Sequence, residues 1–209
     1  MIVCVLGWQT WMMWTLEHPT KTLMLPVLLP WLKKHLPFST IFTKPVMTTT
    51  FHKTARARNK PSAPAKWIYD NIGFDLSDSD TLDYGCGRGK DVEYFGIAGW
   101  DICGDRSSPL TRHDDFTTIL CSYVLNVIPS EKERMQVISH IKNHLTWDGT
   151  AYLTVRNDKK NLNGWTKSGT YQTFVDLPLP IVHKTSGYII YRLESWFNLD
   201  KPEEYMNEL

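Results

Sequence analysis

The stretch TLDYGCGRGK, residues 81–90, decides the fold of this chain. Its first four residues are predicted to form a strand, and glycines follow at positions 85, 87 and 89. Three glycines in five positions let the backbone turn sharply and approach a ligand without a Cβ in the way. A polar helix is predicted from Lys90 to Phe95, and a helix N-terminus offers unpaired N–H groups to a ligand. The stretch therefore predicts a strand, a ligand-binding loop and a helix.

Two common nucleotide-binding patterns do not fit this loop. The dinucleotide fingerprint GxGxxG needs a glycine at position 90, where Lys90 stands. The phosphate loop GxxxxGK[ST] needs a glycine at Tyr84 and a serine or threonine at Asp91, so it fails at both positions. What remains is the pattern Asp83-x-Gly85-x-Gly87-x-Gly89, with a turn that binds no ligand as the structural alternative.

Outward from the loop, strand-like and helix-like segments alternate. A helix is predicted from Ser62, which caps it, to Gly73, which ends it. A second helix begins with the capping box Ser130 and Glu133 and continues at helical spacing to Leu145. Strands are predicted at 81–84, 97–101, 117–127, 149–156 and 188–193. The alternation predicts an α/β fold, a Rossmann-like, doubly wound and mainly parallel sheet with helices on both faces.

The net charge of +1 hides an asymmetry along the 209 residues. The segment 47–66 has no acidic residue and five basic ones, Lys53, Arg56, Arg58, Lys60 and Lys66, whereas the rest of the chain beyond it is acidic. Such an arm is expected to attract phosphate, nucleic acid or another anionic surface. The alternative is a solvated, flexible leader.

The first 46 residues differ from the rest of the chain. They hold four of the nine tryptophans, and their apolar runs are interrupted by Glu17 and by two prolines, so no transmembrane span is predicted. We interpret residues 1–46 as a leader outside the fold, with Met47 as an alternative start. The four cysteines are far apart and form no CxxC pair. Separate thiols favour a reducing, cytoplasmic location.

The glycine pattern, together with Asp101 eighteen positions after Asp83, resembles motif I of the class I S-adenosylmethionine-dependent methyltransferases. The resemblance implies that Asp83 interacts with the methionine end of the cofactor and that Asp101 holds the ribose hydroxyls. The implied cofactor is S-adenosylmethionine. The implied cofactor-binding residues are Asp83, Tyr84, Gly85, Cys86, Gly87, Gly89, Asp101 and Ser122.

The resemblance extends beyond the loop. Residues 116–129 (FTTILCSYVLNVIP) resemble the family's fourth strand and active-site segment, and residues 150–155 (TAYLTV) resemble its fifth strand. More narrowly, DYGCGRGKDVEYF, YVLNVIP and SGTYQ are similar to methyltransferases associated with DNA phosphorothioation and to small phage-type relatives. The interval between Asp101 and Phe116 has barely room for the usual third strand, so this edge of the sheet is expected to be trimmed. Either Asp114 or Asp115 is a candidate for the adenine-binding acid.

On the acceptor side, the resemblance places Tyr123 and Asn126 just past the fourth strand as the catalytic candidates. Tyr123 would pack on the cofactor and Asn126 would orient the acceptor, with core packing and a turn or cap as the respective alternatives. The [DNS]PP[YFW] pattern of base-amino methyltransferases is missing, because Ser122-Tyr123 is followed by valine and leucine. Tyr171, Gln172 and Lys60 are the substrate-binding candidates, with a strand of alternate core positions as the alternative for Tyr171.

No metal site is predicted, because His140 and His144 lie four apart on a helix without a third ligand. The predicted organisation is a leader (1–46), a basic arm (47–66) and a methyltransferase domain (67–209). The predicted function is S-adenosylmethionine-dependent methyl transfer to an unidentified acceptor, with nucleic acid as a candidate. The alternative is a non-catalytic module that binds the cofactor or nucleic acid on the same fold.

Overall fold

The computed structural model describes residues 54–55, 57–103, 106, 110, 115–158, 161 and 163–198. The chain falls into two units, Met1–Ile41 and Phe42–Leu209, and the described residues all lie in the second. The predicted leader, the alternative start at Met47 and Asp114 therefore lie outside the described residues, as do Lys53 and Arg56 of the basic arm.

Three α-helices and eight β-strands form the described part of the chain. The helices are α1 (Ala63–Asn71), α2 (Lys90–Phe95) and α3 (Glu131–Asn143). The strands are β1 (Thr81–Tyr84), β2 (Ala98–Trp100), β3 (Phe116–Ser122), β4 (Leu145–Arg156), β5 (Asn163–Trp165), β6 (Tyr171–Thr173), β7 (Ile181–Lys184) and β8 (Tyr188–Glu194). A short 3-10 turn, Leu125–Val127, follows β3.

The central sheet has six strands in the order β2-β1-β3-β4-β8-β7. Strands β1 to β4 pair in parallel, and β8 runs antiparallel to both β4 and β7. Strands β5 and β6 form a separate antiparallel hairpin. The prediction of a Rossmann-like, mainly parallel α/β sheet is confirmed.

Helices cover both faces of the sheet, as predicted. Alternate residues of a strand point to opposite faces, and the two apolar clusters follow this rule. On one face, Leu120 packs with Ile68 of α1 and Phe95 of α2. On the other, Ile119 packs with Ile138 and other residues of α3. Fully burying one such side chain contributes about 1.5–3 kcal/mol.

Both long helices begin where their capping signals predict. The Ser62 hydroxyl accepts a hydrogen bond from the Ala65 N–H at 3.3 Å, and the Ser130 hydroxyl accepts one from the Glu133 N–H at 3.3 Å. Gly73, at φ 83°, closes α1, and its N–H donates to the Ile68 carbonyl.

Several predicted boundaries are wrong. Strand β3 ends at Ser122 instead of 127, because Tyr123 takes a left-handed φ of 64° and the chain then forms the 3-10 turn. Leu145 does not extend α3 but begins β4. The boundary predicted between residues 66 and 67 falls inside α1, so this part of the basic arm belongs to the folded domain.

The chain reverses its direction of travel across the sheet at β1. From β1 it passes to β2 on one side, and it then crosses back to β3 on the other. In open α/β sheets, ligands bind at such a switch point, outside the carboxyl ends of the strands. Between β2 and β3, the residues that the structure describes form no strand. Asp115, in this interval, lies exposed just before β3.

Candidate functional site

The glycine loop lies at the carboxyl end of β1, next to the switch point. Gly85, Gly87 and Gly89 have φ values of 76°, 57° and 74°, all in the left-handed region that glycine adopts without strain. The N–H groups of Gly85 and Cys86 donate to the Trp100 carbonyl at 2.7 and 3.1 Å. The loop is therefore held against the end of β2. Gly89 is the N-cap residue of α2, and no side chain caps this helix.

Three other segments close in on this loop. A Cβ at Gly85 would lie 2.3 Å from Val124 Cγ2, and one at Gly87 would lie 3.2 Å from Ala55 Cβ. A Cβ at Gly89 would lie 2.7 Å from the Arg106 guanidinium carbon. Glycine is thus required here by close approach as well as by backbone conformation.

Asp101 follows β2 and lies across the loop. One carboxylate oxygen accepts from the Gly87 N–H at 2.7 Å and the other from the Cys103 N–H at 2.9 Å. The residue is only partly buried. Because a carboxylate offers about four lone-pair sites, Asp101 retains capacity to accept from the hydroxyls of a ligand.

Asp83 lies beneath the loop and is 3% exposed. Burial raises the pKa of its carboxyl to about 8, and the nearby carboxylates of Asp91 and Asp101 add to the increase, whereas Arg58 opposes it. Asp83, Asp91 and Asp101 are called the carboxylate cluster below. Because burial is the largest cause, Asp83 is mostly protonated near pH 7, and its carboxyl can donate as well as accept a hydrogen bond.

Arg58 is a site residue that sequence reasoning placed only in the basic arm. Its Nη2 atom lies 3.3 Å from Asp91 Oδ2, and the Ser62 N–H donates to Asp91 Oδ1 at 2.6 Å. Ala55, Arg58 and Ser62 therefore all lie against the glycine loop and the start of α2. Arg58 and Asp91 are 33 positions apart, so no local spacing signals the pair.

Tyr84 and Cys86 turn their side chains away from a ligand. The Tyr84 ring packs on Trp100 at 4.6 Å, and its hydroxyl lies 3.1 Å from His140 Nδ1. Cys86 is 4% exposed, and burial raises the pKa of its thiol to about 12. Both side chains are buried, so we expect any contact of Tyr84 or Cys86 with a cofactor to be made by backbone atoms.

Ser122 at the end of β3 and Tyr123 directly after it lie at the switch point. Ser122 ends the strand and is half-buried. Tyr123 donates its N–H to the Thr154 carbonyl at 2.9 Å. Burial raises the pKa of its hydroxyl to about 12, with Arg58 and Arg156 opposing the increase. Tyr123 is therefore neutral near pH 7 and acts through its ring or as a hydrogen-bonding hydroxyl.

Asn126 is completely buried and bonded within the fold. Its Nδ2 donates to the Thr173 carbonyl at 2.8 Å, and its Oδ1 accepts from the Arg156 N–H at 2.8 Å. This arrangement corrects the interpretation of Asn126 as an acceptor-orienting residue. The geometry gives it a structural role that joins the 3-10 turn to β6 and to the end of β4.

The substrate-binding candidates lie in two separate places. Tyr171 and Gln172 belong to β6, where the Tyr171 hydroxyl donates to Asn163 Oδ1 at 2.5 Å and Gln172 Oε1 accepts from Arg156 Nη1 at 3.3 Å. Lys60 instead lines a shallow depression with Lys66 and Tyr94. The structure does not bring Lys60 together with the hairpin.

His140 of α3 and His144, which follows the helix, pack against each other. The rings of His140 and His144 are 4.7 Å apart, and burial followed by the charge of His144 lowers the pKa of His140 to about 4. Within the ranges given above, no group of three or more histidine, cysteine, aspartate or glutamate side chains is placed to hold a metal. No helix in the described part of the chain is both long and apolar enough to cross a membrane.

One family model matches this chain. It is the model of the 25S rRNA (adenine(2142)-N(1))-methyltransferases, Bmt2, and it matches residues 104–191. The matched range is less than half of the chain and begins after the glycine loop and Asp101. No curated protein matches.

Solved methyltransferase structures have similar folds at low identity. The 1,6-didemethyltoxoflavin-N1-methyltransferase of Burkholderia thailandensis is 18% identical, with 62% of this chain and 76% of that chain covered and a TM-score of 0.45. The N-methyltransferase NodS of Bradyrhizobium japonicum is 12% identical, with 68% and 95% covered and a TM-score of 0.44. The match of residues 104–191 to a methyltransferase family agrees with the methyltransferase resemblance of the loop that precedes them.

Proposed function

We propose that this protein is an S-adenosylmethionine-dependent methyltransferase that modifies RNA. The observation that carries the cofactor assignment is a glycine loop at the switch point of the sheet, with Asp101 bonded to its Gly87 N–H and Asp83 buried beneath it. The support for RNA is the rRNA methyltransferase family that matches residues 104–191.

The charge of the site discriminates between the ligands that glycine loops bind. A phosphate bound at the loop would lie against the Asp101 carboxylate, which already accepts from the Gly87 N–H at 2.7 Å, and the two negative charges would repel each other. S-adenosylmethionine has a sulfonium and an ammonium group, and both are attracted to carboxylates. The residues present therefore fit this cofactor better than a phosphate-containing one.

The loop and Asp101 divide the binding between them. The glycines allow the backbone to approach the ligand closely, and Asp101 accepts hydrogen bonds from the ribose hydroxyls with its remaining lone pairs. Asp83 lies deeper, on β1, at the end of the site that would receive the cationic part of the cofactor. Ser122 and Tyr123 approach from the neighbouring strand β3.

The chemistry that the bound cofactor supplies is an activated methyl group, which a nucleophile displaces in line. The protein contributes alignment and exclusion of water. In this proposal Tyr123 packs beside the reacting groups or hydrogen-bonds the acceptor. Because its pKa is raised to about 12, it is not expected to act as a general base near neutral pH.

The proposal also includes a second candidate acceptor and a location in the cell. The narrower resemblance to methyltransferases associated with DNA phosphorothioation, and to phage-type relatives, makes DNA the second acceptor to test. The protein is expected to act in the cytoplasm, because Cys86, Cys103 and Cys121 are free thiols and a reducing compartment keeps thiols free.

Labelled cofactor, incubated with separate RNA, DNA, protein and metabolite fractions, tests the proposal. We expect label in RNA. Asp101→Ala should weaken cofactor binding in calorimetry by about 1–3 kcal/mol, the cost of a lost charge-assisted hydrogen bond. Asp78→Ala, a change at an exposed acid in the loop before β1, is the matched control and should bind normally.

Three outcomes would contradict parts of the proposal. Unchanged affinity in Asp101→Ala removes that residue from the site. Label in DNA or protein alone overturns the RNA acceptor and leaves the cofactor assignment intact. Tight binding with no turnover on any fraction favours the non-catalytic module.

A further inference from the structure

A short β-hairpin lies beside the candidate site and is bonded to the segment that follows β3. We name residues 163–173, which comprise β5, β6 and their connecting turn, the aromatic hairpin. Trp165 of β5 pairs with Tyr171 of β6. Their rings meet edge to face, with centroids 5.7 Å apart.

The turn of the aromatic hairpin is internally hydrogen-bonded. The Thr166 N–H donates to the Thr170 carbonyl at 2.7 Å, and the Gly169 N–H donates to the Thr166 carbonyl at 2.9 Å. The hydroxyl oxygens of Thr166 and Thr170 lie 2.7 Å apart. The hairpin is therefore a preformed element, and a ligand would not have to order it.

The aromatic hairpin is anchored to the segment that contains Tyr123. Asn126, three positions after Tyr123, donates to the Thr173 carbonyl at the end of β6. Arg156, at the end of β4, donates its backbone N–H to Asn126 and its guanidinium to Gln172. The hairpin thus lies at the carboxyl ends of β3 and β4, on the edge of the sheet where the acceptor must enter.

The surface of the aromatic hairpin combines an exposed ring with positive charge. Trp165 is 61% exposed although Tyr171 supports it from the edge. Lys167, in the turn of the aromatic hairpin, is exposed, and residues 163–173 include no acidic residue, although Asp158 and Asp176 lie outside the hairpin on either side. A single exposed aromatic side chain is common on protein surfaces. An exposed indole beside an exposed lysine, on an acid-free hairpin at the carboxyl ends of β3 and β4, is a more specific combination.

This combination matches single-stranded nucleic acid. Bases stack on aromatic side chains, and lysines attract the phosphates. In a duplex the base faces are already stacked on one another, so they are not available to Trp165. The basic arm is less suitable, because its Arg58 is paired with the buried Asp91.

We propose that the aromatic hairpin binds single-stranded RNA by stacking a nucleotide near the methylated one on Trp165. The choice of RNA as the partner rests on the function proposed above. The location of the stacking surface rests on the hairpin itself.

The test measures binding of the full-length protein to a fluorescein-labelled single-stranded RNA of mixed sequence, about 12 nucleotides long. Trp165→Ala should raise the Kd about 5- to 150-fold, the effect of losing one base–aromatic stack. Trp165→Phe should retain most of the affinity. Trp147→Ala is the matched control, since Trp147 is 79% exposed at the opposite end of β4, and its Kd should stay within about twofold of the parent.

Several results would overturn the proposal. They are an unchanged Kd in Trp165→Ala, an equal loss in Trp147→Ala, or equal affinity for the duplex form of the same RNA. If Trp165→Ala fails to fold, as judged by circular dichroism, Trp165→Phe decides. A loss of affinity of about 5-fold or more in that variant contradicts stacking. Cofactor affinity, measured on the same samples, separates the two proposals. A protein that binds RNA but not the cofactor contradicts the proposed methyltransferase function. A protein that binds the cofactor but not RNA contradicts the proposed role of the aromatic hairpin.

Discussion

At the scale of single residues, the site depends on an ion pair that joins distant parts of the chain. Asp91 has a side chain only 1% exposed, and the Arg58 guanidinium lies against it. The Ser62 N–H also binds this carboxylate. Removal of one partner from a buried pair leaves a charge without compensation, and this costs more than the pair itself contributes.

We therefore expect Arg58→Ala to lower the free energy of unfolding by about 1–2 kcal/mol in urea denaturation. The loss is smaller than for a fully buried pair, because Arg58 is about a third exposed and Asp91 retains the Ser62 N–H. Lys60→Ala, two positions away and exposed, is the control and should change stability by less than about 0.5 kcal/mol. Equal effects of the two changes would contradict the structural role of Arg58.

The residues of the site differ in how well the sequence predicts them. Asp83 and Asp101 belong to a local pattern, and their positions agree with it. The side chain of Tyr84 could have been assigned from the two-residue period of a strand, because it shares with Leu82 the face that packs against α3. Arg58 could not, since its partner is determined only by the tertiary fold.

At the scale of elements, the predictions succeeded where signals are local and strong. Ser62 and Ser130 are side-chain caps, and both helices begin at them. β5 and β7 were missed, because strands of three or four residues with mixed polarity have little periodicity to detect, whereas β6 agrees with the strand that was the alternative for Tyr171. β3 was predicted too long, because residues 123–127 are β-prone and only the left-handed backbone of Tyr123 ends the strand.

Asn126 is the residue that joins these elements. We expect Asn126→Ala to lower the free energy of unfolding by about 2–4 kcal/mol, because it leaves the Thr173 carbonyl and the Arg156 N–H without their buried partner. Hydrogen exchange of residues 163–173 should become faster. Asn143→Ala, at the exposed end of α3, is the control. A hairpin that stays equally protected in Asn126→Ala would show that this amide does not anchor it.

At the scale of the whole molecule, the structure shows that part of the basic segment found in the sequence is paired with acidic residues of the domain. The basic arm was predicted as a separate segment, but residues 57–62 belong to the domain and contribute Arg58 to the carboxylate cluster. Charge summed along the chain does not reveal such pairing, because it ignores which residues the fold brings together. The fold class and the layers, by contrast, follow from the alternation of strand-like and helix-like segments and were predicted, whereas the order of the strands was not.

The carboxylate cluster also links the stability of the whole domain to pH. Burial and neighbouring carboxylates raise the pKa of Asp83 to about 8 in the folded protein, whereas an unfolded aspartate titrates near about 3.9. A group whose pKa is raised on folding contributes stability that is present at low pH and is lost as pH rises toward the folded value. We therefore expect the free energy of unfolding to fall between pH 6.5 and 8, by at most about 1.4 kcal/mol per pH unit.

This window isolates Asp83 from the other shifted groups. The pKa of His140 is lowered to about 4, so its contribution is lost only as pH falls below about 6.5. The buried thiol of Cys86, with a pKa of about 12, affects stability only above the usual thiol pKa of about 8.5. In urea denaturation across the window, Asp83→Asn should abolish the decline and Asp78→Asn should keep it. A decline that persists in Asp83→Asn would place its origin outside the carboxylate cluster. In the parent protein, S-adenosylmethionine should reduce the decline, because a cationic ligand favours the ionised carboxylate.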